Sequence, residues 1–172
     1  MPKGKLKDPD FDAEYARSQL AYDPETGALT WKVWQGGGAP KVGAPAGCRS
    51  TQTGYLLVRL KSRLCVAHRV IWLMQTGEWP KAYVDHRDTD RTNNRWANLR
   101  EASKRQNGWN RGKPRTNTSG YKGVYLNRGR WHAQITIDGR VTFLGNYDTP
   151  AEGHAAYAAA SAKHHGEFGR LE

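Results

Sequence analysis

The stretch Val84–Asn107, VDHRDTDRTNNRWANLREASKRQN, organises the reading of the whole chain. Tyr83-Val84 is a short strand that delivers Asp85 and His86. Asp88 to Asn94 is a polar loop, Arg95 to Asn98 a return, and Glu101 to Asn107 a helix. The unit is a compact β-loop-β-helix. It sets a carboxylate beside an imidazole and ends on a further amide, Asn107. In an extended segment adjacent side chains point to opposite faces. Asp85 is then directed at a bound cation while His86, with its near-neutral pKa, faces a water. A hard divalent ion such as Mg²⁺ takes oxygen ligands, often one or two protein groups plus substrate phosphate. Asp85 and the amide oxygen of Asn107 meet that demand. A lone Asp-His dipeptide is ordinarily a surface loop. The Asn93-Asn94 pair, Asn98-Leu99 and Asn107 at this spacing set it apart. A calcium loop counted from Asp88 fails, because its glycine position holds Asn93 and its closing glutamate position holds Leu99.

Upstream, Asp23-Pro-Glu-Thr-Gly27 is turn chemistry followed by a β-rich run from Ala28 to Trp34, which predicts a hairpin. Residues 1–21 are assigned as an N-terminal arm, with Asp12 to Leu20 either a short helix or loosely ordered. Gln35 to Pro40 reads as a mobile loop. Strands are expected within Lys41–Cys48, over Gly54–Lys61 and over Leu64–Val66. Ala67 to Thr76 has helical periodicity with Val70, Leu73 and Met74 on one side, closed by Gly77 and stopped by Pro80. His68 on this helix has two readings, an approach to the Asp85–His86 site or packing beside Trp72.

Downstream the character changes. Gly108 to Ser119 is basic and turn-forming, with no aliphatic side chain, and is assigned as a linker able to follow a phosphate backbone through Arg111, Lys113 and Arg115. Tyr121–Asn127, Arg130–Asp138 and Arg140–Gly145 then read as three strands, with Asp138-Gly139 a strong hairpin signal. Thr149-Pro150-Ala-Glu152 is a helix start. The Ala-rich helix that follows is expected to lay Ala155, Ala159 and Ala162 on the sheet, with His154, His164 and His165 facing solvent.

Composition bounds the partners. The 172 residues carry 27 Lys and Arg against 16 Asp and Glu, a formal charge of +11. Such a field gathers polyanions, and nucleic acid is the partner it points to. Mean hydropathy is −0.84, and there is no long apolar run, so no membrane association is expected. Cys48 and Cys65 are the two cysteines. They make no CxxC pair, and no structural zinc is expected. The N-terminal MPKGKLKDPD lacks an apolar core, so no signal peptide is read and the expected location is cytoplasmic.

Asp85-His86, Asn93-Asn94, Asn98-Leu99 and Gln106-Asn107 resemble the HNH nuclease signature, in the variant of phage and intron-associated homing endonucleases. His68-Arg69-Val-Ile-Trp72, Thr76-Gly-Glu-Trp-Pro80 and the opening Tyr22-Asp-Pro-Glu-Thr-Gly-Ala-Leu-Thr-Trp31 resemble that subgroup too. The resemblance implies Asp85 and Asn107 as ligands of one Mg²⁺ or Mn²⁺, and His86 as general base. It implies Asn98 as the middle Asn that ties the loop and orients the imidazole. Asn107 stands where many HNH enzymes have His. A bacterial host cell, with a phage or mobile element as the source, is what this subgroup implies for location.

Residues Tyr121 to about Leu171 resemble the DNA-binding domain of plant ethylene-response factors, the APETALA-two type. Tyr121-Lys-Gly-Val124, Trp131-His-Ala-Gln-Ile135, Phe143-Leu-Gly145 and Thr149-Pro-Ala-Glu152 carry it. The resemblance implies a sheet that enters the major groove of double-stranded DNA. Lys122, Tyr125, Arg128, Arg130, Gln134 and Thr136 form its expected binding surface. Gln134 suits adenine, and Arg130 suits guanine or phosphate.

The expected fold is therefore α+β. An HNH nuclease domain over 22–107, a ββα-metal core with extra N-terminal strands, precedes the linker over 108–119. A three-stranded antiparallel sheet backed by one helix occupies 120–172. The expected activity is metal-dependent DNA hydrolysis. The alternative is a DNA-binding regulator on an inactive HNH scaffold. Monomer and dimer are both left open.

Overall fold

The computed structural model describes residues 8–34, 36 and 40–171, and its internal contacts divide the chain into two units, Met1–Ala102 and Ser103–Glu172. Most of the loop expected over Gln35–Pro40 and the first seven residues of the expected arm lie outside the described residues. Helix and strand are mixed throughout both units.

In the first unit, helix α1 (Ala13–Gln19) starts at Asp12, whose carboxylate accepts the Tyr15 N–H at 2.8 Å. Ala13, Ala16 and Leu20 are buried, so this segment belongs to the core and is not a loose arm. The chain continues directly into β1 (Leu20–Tyr22), which pairs antiparallel with β2 (Leu29–Trp31) across the Asp23–Gly27 turn. Strands β3 (Cys48–Arg49), β4 (Leu56–Leu60) and β5 (Arg63–Val66) form an antiparallel meander in the order β3-β4-β5. Helix α2 (Ala67–Thr76) follows β5 without a loop and ends at Gly77 in the left-handed region, φ 85°. Its Val70, Ile71, Leu73 and Met74 pack with Leu20, Trp31, Val58, Leu60, Val84 and Leu99 into one apolar core. Such burial stabilises by about 25 cal/mol per Å² of apolar surface.

Strand β6 (Tyr83–His86) pairs with β7 (Leu99–Ala102), placing Asp85 opposite Arg100 and His86 opposite Leu99. A 3₁₀ turn over Trp96–Asn98 leads into β7. Glu101 and Ala102 are thus strand, where the sequence reading had begun a helix. Pairing with β6 prevails over their helical propensity, and the Glu101 carboxylate accepts the Lys81 N–H at 2.8 Å.

The second unit opens on α3 (Lys104–Trp109), capped by Ser103. Three antiparallel strands follow, β8 (Val124–Asn127), β9 (Arg130–Ile137) and β10 (Arg140–Tyr147), in the order β10-β9-β8. Both hairpins turn through two positive-φ residues, Arg128-Gly129 and Asp138-Gly139. That pattern matches the twist of the flanking strands. Helix α4 (Pro150–His165) begins with a complete capping box between Thr149 and Glu152 and packs on all three strands.

The face of α4 differs from expectation. Gly153, Tyr157, Ser161 and His165 are its buried residues, at a strict four-residue spacing. Ala155, Ala159 and Ala162 are exposed, and His165 faces inward. Close approach is bought at the glycines: a Cβ on Gly153 would stand 3.3 Å from Val124, and one on Gly123 would overlap the Tyr157 ring at 2.2 Å. The segment 108–119 is fastened to its own unit as well. Asn117 Nδ2 donates to Tyr121 O at 2.8 Å and Ser119 Oγ to Val124 O at 2.8 Å.

Candidate active site

The site begins with strand pairing. Strand β6 delivers Asp85 and His86, 7% and 3% exposed, from the edge of the core. His86 Nε2 lies 3.0 Å from the side-chain oxygen of Asn94, which is itself 2% exposed. With Nε2–H donating to that oxygen, the neutral ring keeps its lone pair at Nδ1. The ring is also walled by aromatic contacts. His68 meets it edge-on at 4.9 Å and Tyr55 lies at 5.9 Å, with the Arg91 guanidinium 4.9 Å over the Tyr55 ring.

Asn94 is held from behind by the N-terminal hairpin. Tyr22 Oη donates to Asn94 O at 2.8 Å, Trp96 N–H to Pro24 O at 3.0 Å and Arg95 Nε to Glu25 O at 2.9 Å. Gly27, at φ 76°, is pressed against the next peptide: a Cβ there would stand 2.6 Å from Asn94 C and 2.5 Å from Arg95 N. The Asp23–Gly27 turn is therefore the back wall of the His86 environment. Burial, followed by the charges of Asp23 and Glu25, pushes the Tyr22 phenol up to about 12, so it stays a hydrogen-bond donor.

Asn98 ties the loop. Its Nδ2 donates to Asp88 Oδ1 at 2.9 Å and to Asn93 O at 2.8 Å, and its Oδ1 accepts the Asp88 N–H at 3.1 Å. Asn98 thereby holds both sides of the Asp88–Asn94 loop, while the imidazole is addressed by Asn94. In the sequence Asn93 and Asn94 stand only as a doublet within the polar loop and the HNH-like signature. Asn93 shapes the loop, with Nδ2 donating to Asp88 Oδ2 at 2.5 Å. No local pattern in the sequence singles out Asn94, whose place beside His86 is set by the fold.

Asp85 has a partner that sequence reasoning missed. Arg100, opposite it on β7, donates from Nε and Nη2 to Asp85 Oδ2 at 3.2 and 3.1 Å. Both side chains are below a tenth exposed. The Asp85 carboxylate and the Asn107 amide each offer oxygen, the donor type that a hard divalent cation takes. Among the described residues no group of three or more His, Cys, Asp or Glu side chains is gathered as a metal cluster. Asn107 lies half-buried on α3, within the second unit.

His68 lies beside the site. It contacts both Tyr55, at 5.0 Å, and His86. Burial, then the charges of His86 and Arg69, push its imidazole down to about 3. It is neutral at pH 7. Because the unfolded pKa, near 6.5, lies above the folded one, stability is complete above pH 6.5. It falls as pH drops toward 3, where the unfolded chain takes a proton that the fold refuses. The shift corresponds to on the order of 3–5 kcal/mol. His68→Phe is expected to move the acid-unfolding midpoint to lower pH, followed by circular dichroism between pH 3 and 7. An unchanged midpoint would show that another group governs acid unfolding.

The predicted DNA-contacting residues divide. Arg111, Lys113 and Arg115 are exposed, although Lys113 Nζ donates to Gly120 O at 2.8 Å. Tyr125, Arg128 and Thr136 are exposed and Gln134 is half-exposed, on the side of the sheet away from α4 or at its turn. Tyr125 and Phe143 flank His132 with ring centroids 5.5 and 5.6 Å away, an aromatic band across three strands. Phe143 is 56% exposed. Arg130 pairs with Asp148 at 2.9 Å. Lys122 is placed otherwise: its ammonium donates inward to Trp109 O at 2.6 Å and Arg170 O at 3.0 Å. Burial pushes its pKa down to about 8.

Comparison with known proteins bears on this site. No solved structure matches the chain. Protein 3.8 of Escherichia phage T7 is 37% identical over 76 residues, which is 42% of this chain and 63% of that relative. The chain thus spans less than two thirds of the length of the curated relative it matches. No helix among the described residues is long and apolar enough to cross a membrane. Residues 65–109, from β5 through α3, match the family model described as HNH endonuclease, so the segment carrying Asp85, His86, Asn98 and Asn107 is similar to a nuclease domain.

Proposed function

We propose that this protein is a metal-dependent DNA endonuclease of the phage or homing HNH type, encoded by a phage or mobile element and acting in the host cytoplasm. The observation that carries the reading is a buried imidazole, His86, held at Nε2 by Asn94 in a segment matched by the HNH endonuclease family. In this reading Nδ1 of His86 takes the proton from the attacking water. Asp85 and Asn107 hold one divalent cation, Mg²⁺ or Mn²⁺. When bound, such an ion neutralises phosphate charge and stabilises the leaving oxygen. Arg100 already offsets the charge of Asp85, so binding at that carboxylate draws on the negative charge of the DNA phosphate as well. Asn98 keeps the Asp88–Asn94 loop closed behind the imidazole.

The C-terminal sheet and helix, similar in sequence to the APETALA-two type of DNA-binding domain, bind double-stranded DNA with the outer sheet face. Tyr125, Arg128, Gln134 and Thr136 lie on that face or at its turn. Arg130 and the exposed Arg111 and Arg115 supply positive charge around it, and Lys113 adds to that charge. Binding of this kind weakens steeply with salt, because neutralised phosphates release counterions.

Incubating supercoiled plasmid with the protein and Mg²⁺, Mn²⁺ or EDTA tests the activity. Relaxed or linear product is expected with either cation and none with EDTA. Plasmid that is bound but left uncut in every condition would remove the enzyme and leave the DNA-binding regulator. Cleavage that persists in EDTA would remove the cation from the reaction.

A further inference from the structure

Helix α3 carries Asn107 and is only six residues long. A helix of that length has no independent stability in water, so its orientation comes from what grips its ends. At the start, Ser103 and Gln106 form a reciprocal capping box, at 2.8 and 3.2 Å. At the end, the grip comes from the C-terminal sheet-and-helix module. The Trp109 ring stacks on His165 with centroids 4.3 Å apart and planes at 16°. Lys122 Nζ donates to Trp109 O, the carbonyl that ends the helix, and to Arg170 O. His165 is itself fixed, since its Nε2 donates to Thr136 O on β9 at 2.9 Å and the residue is 5% exposed. A chain of ordered groups therefore runs from the central strand through His165 to Trp109 and α3.

We propose that Trp109, Lys122 and His165 are positioning residues, and that the C-terminal module sets the place of Asn107 as well as binding DNA. The proposal rests on the nuclease reading, in which Asn107 is a ligand. It explains why a lysine in a basic module turns inward onto two backbone carbonyls, away from the outer sheet face. A module that only tethered the nuclease to DNA would affect affinity. A module that also clamps α3 affects turnover when the DNA is saturating.

The test uses the full chain in three variants, Trp109→Ala, Lys122→Met and Trp109→Phe, with two readouts. The first is kcat and KM for DNA cleavage beside the Kd for DNA. The second is amide hydrogen exchange over residues 104–110. Trp109→Ala and Lys122→Met are expected to lower kcat about tenfold or more, the range for a misplaced catalytic group, with Kd close to that of the unaltered protein. Exchange over α3 should quicken in both, and Trp109→Phe should restore both properties. Unchanged kcat in both variants, or unchanged exchange, would overturn the proposal. So would losses of kcat and DNA affinity in equal proportion in Lys122→Met, which would mark simple unfolding of the module. An unaltered protein that cuts no DNA would overturn the nuclease reading instead, and the exchange data would still decide whether the module clamps α3.

Discussion

His86→Ala is expected to slow DNA cleavage by roughly 10²–10⁴-fold with DNA binding nearly intact, the loss that follows removal of a general base. Asn94→Ala should give a smaller fall, roughly 10²–10³-fold, of the size seen when a group that orients a catalytic center is deleted. The expected effect is tautomeric. The Asn94 side-chain oxygen accepts from His86 Nε2 across 3.0 Å, between two buried side chains. Without it, the proton is free to sit on Nδ1, the atom needed as base. Gly27→Ala should reproduce part of the Asn94 effect although Gly27 touches no reacting group. A methyl there, 2.6 Å from Asn94 C, must displace the Asn94 peptide from its place beside His86. Single-turnover rates on saturating DNA measure all three. Tautomer-sensitive nitrogen shifts of the His86 ring supply a second measure. An Asn94→Ala protein with the same tautomer and full rate would refute this account of the imidazole.

Arg100→Leu is expected to destabilise the N-terminal unit by roughly 3–5 kcal/mol, because breaking a buried ion pair leaves a carboxylate in a poorly solvating site. Asp85 and Arg100 side chains are 8% and 6% exposed, so water cannot substitute for the lost guanidinium. The double change Asp85→Leu with Arg100→Leu should recover much of that stability, since apolar pairs of similar volume often replace buried ion pairs at little cost. It should not recover cleavage, because the proposed cation ligand is gone. Urea unfolding beside plasmid cleavage separates the two effects. An Arg100→Leu protein as stable as the unaltered one would show that the pair is not the partner that keeps Asp85 buried.

Local chemistry was legible wherever the chain itself supplies the determinant. Helix α2 runs over the predicted Ala67–Thr76 and stops at Gly77, because a left-handed cap and a nearby proline act within a few residues. The Asp138-Gly139 turn and the Thr149–Glu152 cap are of the same kind, each a short-range steric or hydrogen-bonding preference. The inward face of α4 was not legible. Its small residues are spread around the helix, so no apolar stripe marks a side. The Thr136 carbonyl waiting for His165 and the tight space beside Val124, where a Cβ on Gly153 would stand at 3.3 Å, select it. Residues Glu101-Ala102 failed for a related reason: strand pairing with Tyr83-Val84, remote in the chain, overrides local preference.

The candidate site divides along the same line. From the amino-acid order came Asp85, His86 and Asn107 as a chemical set, because a carboxylate, an imidazole and an amide carry their own chemistry, and the resemblance to the HNH signature added Asn98. Nothing in that order points to Asn94 as the partner of His86, to Arg100 as the counterion of Asp85, or to Gly27 as the wall behind the loop. Those roles join residues 8, 15 and 67 positions apart. They exist because folding buries polar groups that must then find partners wherever the packed chain brings them. Chemistry is a property of side chains and can be read in a line, whereas orientation and protonation belong to neighbours that only packing assembles.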